Sequence, residues 1–300
     1  MPSPKPSWLK RPLPRGKNFA HLTAQIRQQG LHTVCQEANC PNRWECLSQG
    51  TATFLILGPV CTRRCRFCGI IQDVPSAPNP TEPRQIAAAA KRMGLQHVVV
   101  TSTTRDDLTD GGAAYFAATV RSLAAVLPKS TVELLVPDFQ GNPHALDILL
   151  DTRFHVLNHN VETVPRLYDR VRPGASFQRS LNLLRTAKDT VTGLHLKSGI
   201  MLGLGEEDRE VEEVLCHLLA AGCTALTIGQ YLQPTKWQLP VARYVHPEDF
   251  DWWKTHALAL GFRDVSSGPL VRSSYKAGRM ASLLTGLPVN GAGFETAQGR

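Results

Sequence analysis

A chain of 300 residues that is 42% hydrophobic can bury one substantial core, and its formal charge of +8 favours an acidic partner or substrate. No apolar run approaches the roughly 18 residues of a membrane span, and the start MPSPKPSWLKRPLPRG lacks a signal-type apolar stretch, so a soluble, cytoplasmic protein is expected. Nucleic acid is one candidate, but aromatic residues are only 7%, the Lys and Arg residues are spread along the chain and no nucleic-acid-binding motif appears, and an acidic carrier protein fits equally well.

Prolines at Pro2, Pro4, Pro6, Pro12 and Pro14 remove backbone donors from the first residues, which read as an extended basic arm. Six of the eight cysteines then fall between residues 35 and 68. Without a signal peptide, and in a chain large enough not to need disulfide staples, that density points to metal or cluster ligation in a reducing compartment.

Beyond them, short apolar runs alternate with amphipathic stretches. Strands are expected near Thr53–Leu57, His97–Thr101, Val132–Val136, Phe154–Asn158, His195–Leu202 and Ala225–Ile228. Helices are expected at Thr81–Met93, where Thr81 would cap and Pro83 would open the helix, and at Ala113–Leu123, Ser176–Ala187, Glu207–Ala220 and Pro247–Leu260. Six βα units give an α/β fold, a partial (β/α)6 TIM-type barrel at residues 51–262, flanked by an N-terminal extension (1–50) and a C-terminal one (263–300); periodicity alone also allows an open doubly wound sheet. Gly111, Gly112, Gly203 and Gly205 match no phosphate-loop spacing and read as turns, while Cys216 and Cys223 read as small apolar residues and Trp252-Trp253 as helix packing.

Cys61, Cys65 and Cys68 form C-x3-C-x2-C directly after the first predicted strand. Three thiolates on one loop can hold three irons of a cubane cluster and leave the fourth open to a bound molecule. Zinc is the alternative, although no second C-x2-C pair closes a tetrahedron. Cys35, Cys40 and Cys46 supply a second triplet, C-x4-C-x5-C, for which zinc with His32 as fourth ligand is again the bland alternative. In a parallel barrel, functional groups collect at the strand C-terminal ends, where Ser102, Asp110, Asn158, Glu162 and Gln230 fall. Lys197 lies within an apolar strand and needs a negative partner, for which a cofactor carboxylate is suited; a snorkelling surface lysine is the alternative.

C-x3-C-x2-C resembles the signature of radical S-adenosylmethionine enzymes. The two triplets together closely resemble the lipoyl synthase family, and so do Thr101–Ala113 (TSTTRDDLTDGGA), Asn158–Arg166 (NHNVETVPR), Lys197–Gly205 (KSGIMLGLG), Gly229–Pro234 (GQYLQP) and Arg272–Tyr275 (RSSY). Thr103 departs slightly, standing where a more apolar residue is expected. The resemblance implies two [4Fe-4S] clusters. One, on Cys61, Cys65 and Cys68, binds S-adenosyl-L-methionine at its open iron. The other, auxiliary, is held by Cys35, Cys40, Cys46 and Ser274, in preference to Ser273. A hard oxygen ligand suits a corner that must break, as a sulfur-donating cluster requires. Ser102, Asp110, Asn158, Glu162, Lys197 and Gln230 would surround the cofactor.

The implied activity is radical-mediated insertion of two sulfur atoms at C6 and C8 of a protein-bound octanoyl-lysine, at the expense of two cofactor molecules and of the auxiliary cluster. Its partners would be an octanoylated lipoyl domain or glycine-cleavage H protein, an electron donor such as ferredoxin or flavodoxin, and an iron–sulfur carrier that rebuilds the cluster. The rivals are another two-cluster radical enzyme, such as an RNA methylthiotransferase, and a non-catalytic zinc-binding module.

Overall fold

A computed structural model describes residues 5–10, 30–38, 40, 42 and 53–287, with the side chain of Cys35 excepted. Cys46 lies outside the described residues. The strands are β1 (His32–Thr33), β2 (Thr53–Ile56), β3 (Val60–Cys61), β4 (Ile71–Gln72), β5 (His97–Ser102), β6 (Thr131–Leu135), β7 (Val156–Asn158), β8 (His195–Leu202), β9 (Ala225–Gln230) and β10 (Asp264–Gly268). The α-helices are α1 (Val34–Glu37), α2 (Glu82–Arg92), α3 (Ala113–Val126), α4 (Pro143–Leu150), α5 (Tyr168–Val171), α6 (Phe177–Thr190), α7 (Asp208–Ala220), α8 (Pro247–Leu260) and α9 (Ala277–Thr285).

One sheet runs in the order β1-β2-β5-β6-β7-β8-β9-β10. β2 and β5 to β10 are parallel neighbours, and only β1 is antiparallel. The two end strands do not pair, so the sheet is a partial barrel. It contains the six expected strands and a seventh parallel one, β10, whose sequence Asp-Val-Ser-Ser-Gly carries too little apolar signal to stand out. α4 was also not foreseen, although its start is legible: Asn142 accepts from the His144 N–H and Pro143 occupies the first turn. Thr81 does not cap α2; its hydroxyl donates to Asn79 Oδ1 instead. The α7 start is held by a reciprocal capping box between Glu207 and Glu210.

Side chains alternate across each strand. Phe54, Ile56, Val98, Val100, Leu134, Leu157, Leu226 and Ile228 belong to the large apolar core, which includes Ile86, Ala90, Phe116 and Val120 of α2 and α3 and Val211, Val214, Leu215 and Leu218 of α7. The intervening positions Thr53, Leu55, Thr101, Leu135, Gly199, Met201, Thr227 and Gly229 line the inside. The strands are therefore apolar on their helix-facing side and mixed inside. Among the described residues no helix is long and apolar enough to cross a membrane.

Candidate active site

The inside of the partial barrel opens at the strand C-terminal ends into a cavity of about 470 Å³. Its walls carry Cys61, Cys65 and Cys68 together with Cys40, Ser102, Glu162 and Ser274. Residues from the beginning, middle and end of the chain thus meet at one place.

The Cys61–Cys68 loop leaves β2 and is anchored at several points. β3 pairs with β4, Val60 beside Ile71 and Cys61 beside Gln72. The Thr62 N–H donates to the Thr104 carbonyl at 3.1 Å, the Arg66 N–H to Val171 at 2.8 Å and the Cys68 N–H to Cys65 at 3.2 Å. Buried Arg63 forks onto Asp106 (Nε to Oδ2 2.6 Å, Nη2 to Oδ1 2.9 Å) and reaches Asp138 Oδ1 at 2.7 Å. Arg63 therefore ties the cysteine loop to the loops after β5 and β6, a role that its place inside the motif did not announce.

Burial pushes the Cys65 thiol up to about 11, against the pull of the nearby Arg172 cation, and burial likewise raises Cys68 to about 12. A metal or cluster binds such groups as thiolates, so its binding releases their protons. In the same walls, Ser102 Oγ and Arg172 Nε are buried and have no hydrogen-bond partner. Buried polar groups in a native fold are normally satisfied, so a bound polar molecule fits here. Among the described residues no three Cys, His, Asp or Glu side chains converge as ligands of a single ion.

Glu162 is held at φ 65°, its N–H donating to the Gly199 carbonyl at 3.0 Å and its carbonyl accepting from Met201 at 2.9 Å. Left-handed backbone is costly for a glutamate and marks a position fixed by its surroundings. Burial raises the pKa of its carboxyl, opposed by Arg172 and by the Asn160 amide. Arg172 donates to the carbonyls of Asn160 and Val161. No motif singled out Arg172 in the sequence.

At the other end of the chain, Arg272–Tyr275 crosses the cavity. The Ser273 hydroxyl accepts from Asn158 Nδ2 at 2.9 Å and donates to Asn160 Oδ1 at 3.1 Å, while Ser274 lines the cavity. Asn42, between Cys40 and Cys46 in sequence, is buried and donates to the Leu270 carbonyl. Asn42 is thereby tied to the residues that precede Ser274.

Four of the expected cofactor contacts are not among the residues lining the cavity. Asp110 turns back to accept from the Gly112 and Ala114 N–H groups at the start of α3. Gln230 is buried, donates to the carbonyls of Leu202, Tyr231 and Arg243 and accepts from the Val245 N–H. Lys197 meets Glu133 Oε1 at 2.9 Å, both fully buried, so the negative partner that its burial demands is a side chain of β6 and not a cofactor carboxylate. Asn158 donates to the same Glu133 oxygen at 2.8 Å. Ser102 and Glu162, by contrast, lie in the cavity wall.

The family model of the radical SAM superfamily matches residues 55–217, and that of the N-terminal domain of lipoyl synthase matches residues 3–40. Lipoyl synthase of Nitratidesulfovibrio vulgaris is 53% identical over 91% of this chain and 91% of its own. That of Pelodictyon phaeoclathratiforme is 51% identical over 92% of this chain and 94% of its own. The chain belongs to the lipoyl synthase family. A member of that family is a radical S-adenosylmethionine enzyme, and this chain is thus a sulfurtransferase whose cofactors are [4Fe-4S] clusters and S-adenosyl-L-methionine. Among solved structures, the lipoyl synthase fold described here is similar to that of Streptococcus suis SuiB bound to S-adenosylmethionine, with TM-score 0.56 and 11% identity over 73% of this chain and 51% of that one. It is similar also to HydG, a maturase of the [FeFe]-hydrogenase, with TM-score 0.51 and 11% identity over 77% of this chain and 62% of that one. At these identities the likeness concerns the fold.

Proposed function

We propose that this chain inserts sulfur at C6 and C8 of an octanoyl chain carried on a lysine of an acidic carrier protein, a lipoyl domain or glycine-cleavage H protein. The observation that carries the reading is the meeting of Cys61, Cys65 and Cys68 with Cys40 and Ser274 in the walls of one cavity. Cys61, Cys65 and Cys68 would hold the cluster that binds S-adenosylmethionine, and Cys35, Cys40, Cys46 and Ser274 the auxiliary one. When bound, these groups supply a carbon-centred radical for hydrogen abstraction and the sulfur that replaces the hydrogens.

The chain's own residues would then bind, orient and exclude water. Leu55, Phe67, Leu135, Ile200, Met201 and Leu232 give the cavity apolar surface suited to an alkyl chain and poor in water. Ser102, Glu162 and Arg172 offer polar contacts to the amino acid and ribose parts of the cofactor. Arg63, clamped by Asp106 and Asp138, holds the cysteine loop in register with them. Residues 1–50 and 263–300 would flank the core of the barrel at 51–262, the second of them adding β10 to its sheet, and each would bring one side of the auxiliary site. A ferredoxin or flavodoxin as electron donor, an iron–sulfur carrier and a cytoplasmic location complete the proposal. Neither the RNA methylthiotransferase nor the zinc-module alternative has an observation in its favour here.

The test separates the two triplets. Replacing Cys35, Cys40 and Cys46 with alanine should leave 5'-deoxyadenosine formation intact and abolish sulfur insertion into an octanoylated carrier. Sulfur insertion that survives the triple substitution overturns the assignment of the auxiliary site.

A further inference from the structure

We infer that the mouth of the cavity carries a built docking patch for the acidic carrier protein, formed by Ile71 of β4 with Val74 just after it and by Lys236 and Trp237 on the loop after β9; this rests on the activity proposed above.

Large apolar side chains do not ordinarily stand alone in water as a group. Val74 is 87% exposed, Trp237 82% and Ile71 61%. They sit on the two segments that frame the cavity. Ile70 and Gln72, flanking Ile71, are cavity residues, and so are Gln233 and Pro234, a few residues before Trp237. These are joined to each other: the Leu239 N–H donates to the Arg66 carbonyl at 3.0 Å, and a Cβ built on Gly69 would lie 3.1 Å from Pro234 Cβ. The segments that carry the two pairs are thus in contact at Arg66–Leu239 and Gly69–Pro234 beside the entrance.

The turn that presents Trp237 is held by its own polar groups. Thr235 Oγ1 accepts from the Trp237 N–H at 3.2 Å and donates to Gln238 Oε1 at 2.6 Å, and Gln233 Nε2 donates to the Gln238 carbonyl at 2.8 Å. Lys236 Nζ stands 4.8 Å from the centre of the Trp237 ring. An aromatic residue held open in this way loses little freedom when a partner covers it, which is how interface anchors gain affinity.

The charge around the patch selects the partner. Arg64, Arg66 and Lys236 are exposed on these segments against a single exposed acid, Asp73. A rim of cations around an apolar centre complements an acidic protein surface and speeds its approach. The reactive chain is tethered to a carrier lysine, so the carrier must rest at the entrance for the alkyl group to reach the cavity. The patch lies at that position.

The experiment measures equilibrium binding of an octanoylated carrier domain to the full chain with clusters reconstituted, for wild type, Trp237→Ser, Trp237→Phe and Lys236→Glu. Trp237→Ser should weaken binding about tenfold, Trp237→Phe should restore most of it, and Lys236→Glu should weaken it most at low salt. KM for the carrier should rise with kcat unchanged, while a short octanoyl-lysyl peptide should be processed alike by all variants. Equal affinity for wild type and Trp237→Ser overturns the inference. It is equally overturned if Trp237→Ser abolishes a concentration-dependent self-association, or binding to anionic phospholipid vesicles, and leaves carrier binding untouched. If the wild type binds the carrier through Trp237 yet inserts no sulfur, the docking patch stands and the activity falls.

Discussion

Asn158 Nδ2 donates to two oxygens, Ser273 Oγ at 2.9 Å and Glu133 Oε1 at 2.8 Å. The end of β7 thereby joins the Arg272–Tyr275 segment to a buried carboxylate on β6, and that carboxylate in turn holds Lys197 of β8 at 2.9 Å. Three neighbouring strands and the C-terminal segment share one polar network beneath the cavity. The hydroxyl next to Ser274 is fixed on one side by Asn158, which is not among the cavity-lining residues, and on the other by Asn160, which is.

Asn158→Ala should leave Ser273 and Glu133 each short of a partner and cost about 1–3 kcal/mol in denaturant unfolding. The iron and sulfide content attributable to the auxiliary site should fall while 5'-deoxyadenosine formation persists. Asn158→Asp, which removes the donor and sets a like charge against Glu133, should be the more damaging of the two.

Lys197→Met should cost about 3–5 kcal/mol, because it strands Glu133 as an unpaired buried charge. Removing both charges in Lys197→Met with Glu133→Gln should recover much of that loss, as a double-mutant cycle by thermal or urea unfolding would show. Burial alone would raise the Glu133 pKa, but the Lys197 charge and His97 more than offset it and hold it at about 2. A carboxylate lower in the folded chain than its ordinary 4.5 stabilises fully above that value and loses its contribution as pH falls toward about 2. The wild type should therefore weaken across that acid range, and the doubly substituted chain should weaken less.

Six of the strands and five of the helices were legible because each rests on local information: apolar runs and prolines at helix starts. β10 escaped because Asp264–Gly268 has two serines and a glycine where an apolar run would be sought, and its place is decided by pairing with β9. Asp110 was read as a cofactor contact, yet an aspartate followed by Gly111 and Gly112, both at positive φ, is placed to fold back on the helix that follows. Lys197 was rightly taken to need an anion. Which anion depended on Glu133, a residue 64 positions away on another strand.

Gly229→Ala tests how closely β9 approaches the Ser274 segment. A Cβ at this position would collide with the Val271 carbonyl oxygen, one residue before Arg272. Backbone must move, so a loss of about 1–3 kcal/mol is expected. Reduced retention of the auxiliary iron on gel filtration, with the iron at the Cys61 loop kept, is the accompanying signature.

Arg63→Lys keeps the charge and loses the fork. Lysine cannot grip Asp106 through two atoms while reaching Asp138, so a loss of about 1–3 kcal/mol is expected. Cofactor cleavage should slow and iron should leave the Cys61 loop faster under chelator, even though no ligand of the cluster has changed. An unaltered off-rate for iron would show that the clamp does not act on the loop.

The pairing of β3 with β4 has a thermodynamic consequence. Val60 beside Ile71 and Cys61 beside Gln72 close the cysteine loop with backbone contacts of its own, which offset part of the entropy of ring closure that a bound cluster would otherwise have to meet. In a zinc finger the metal must supply that ordering, and the apo chain unfolds. Here filling and emptying the site become events of a finished scaffold: a chelator should bleach the iron chromophore while the circular dichroism of the barrel stays unchanged, and the same chain should take up iron and sulfide again without refolding.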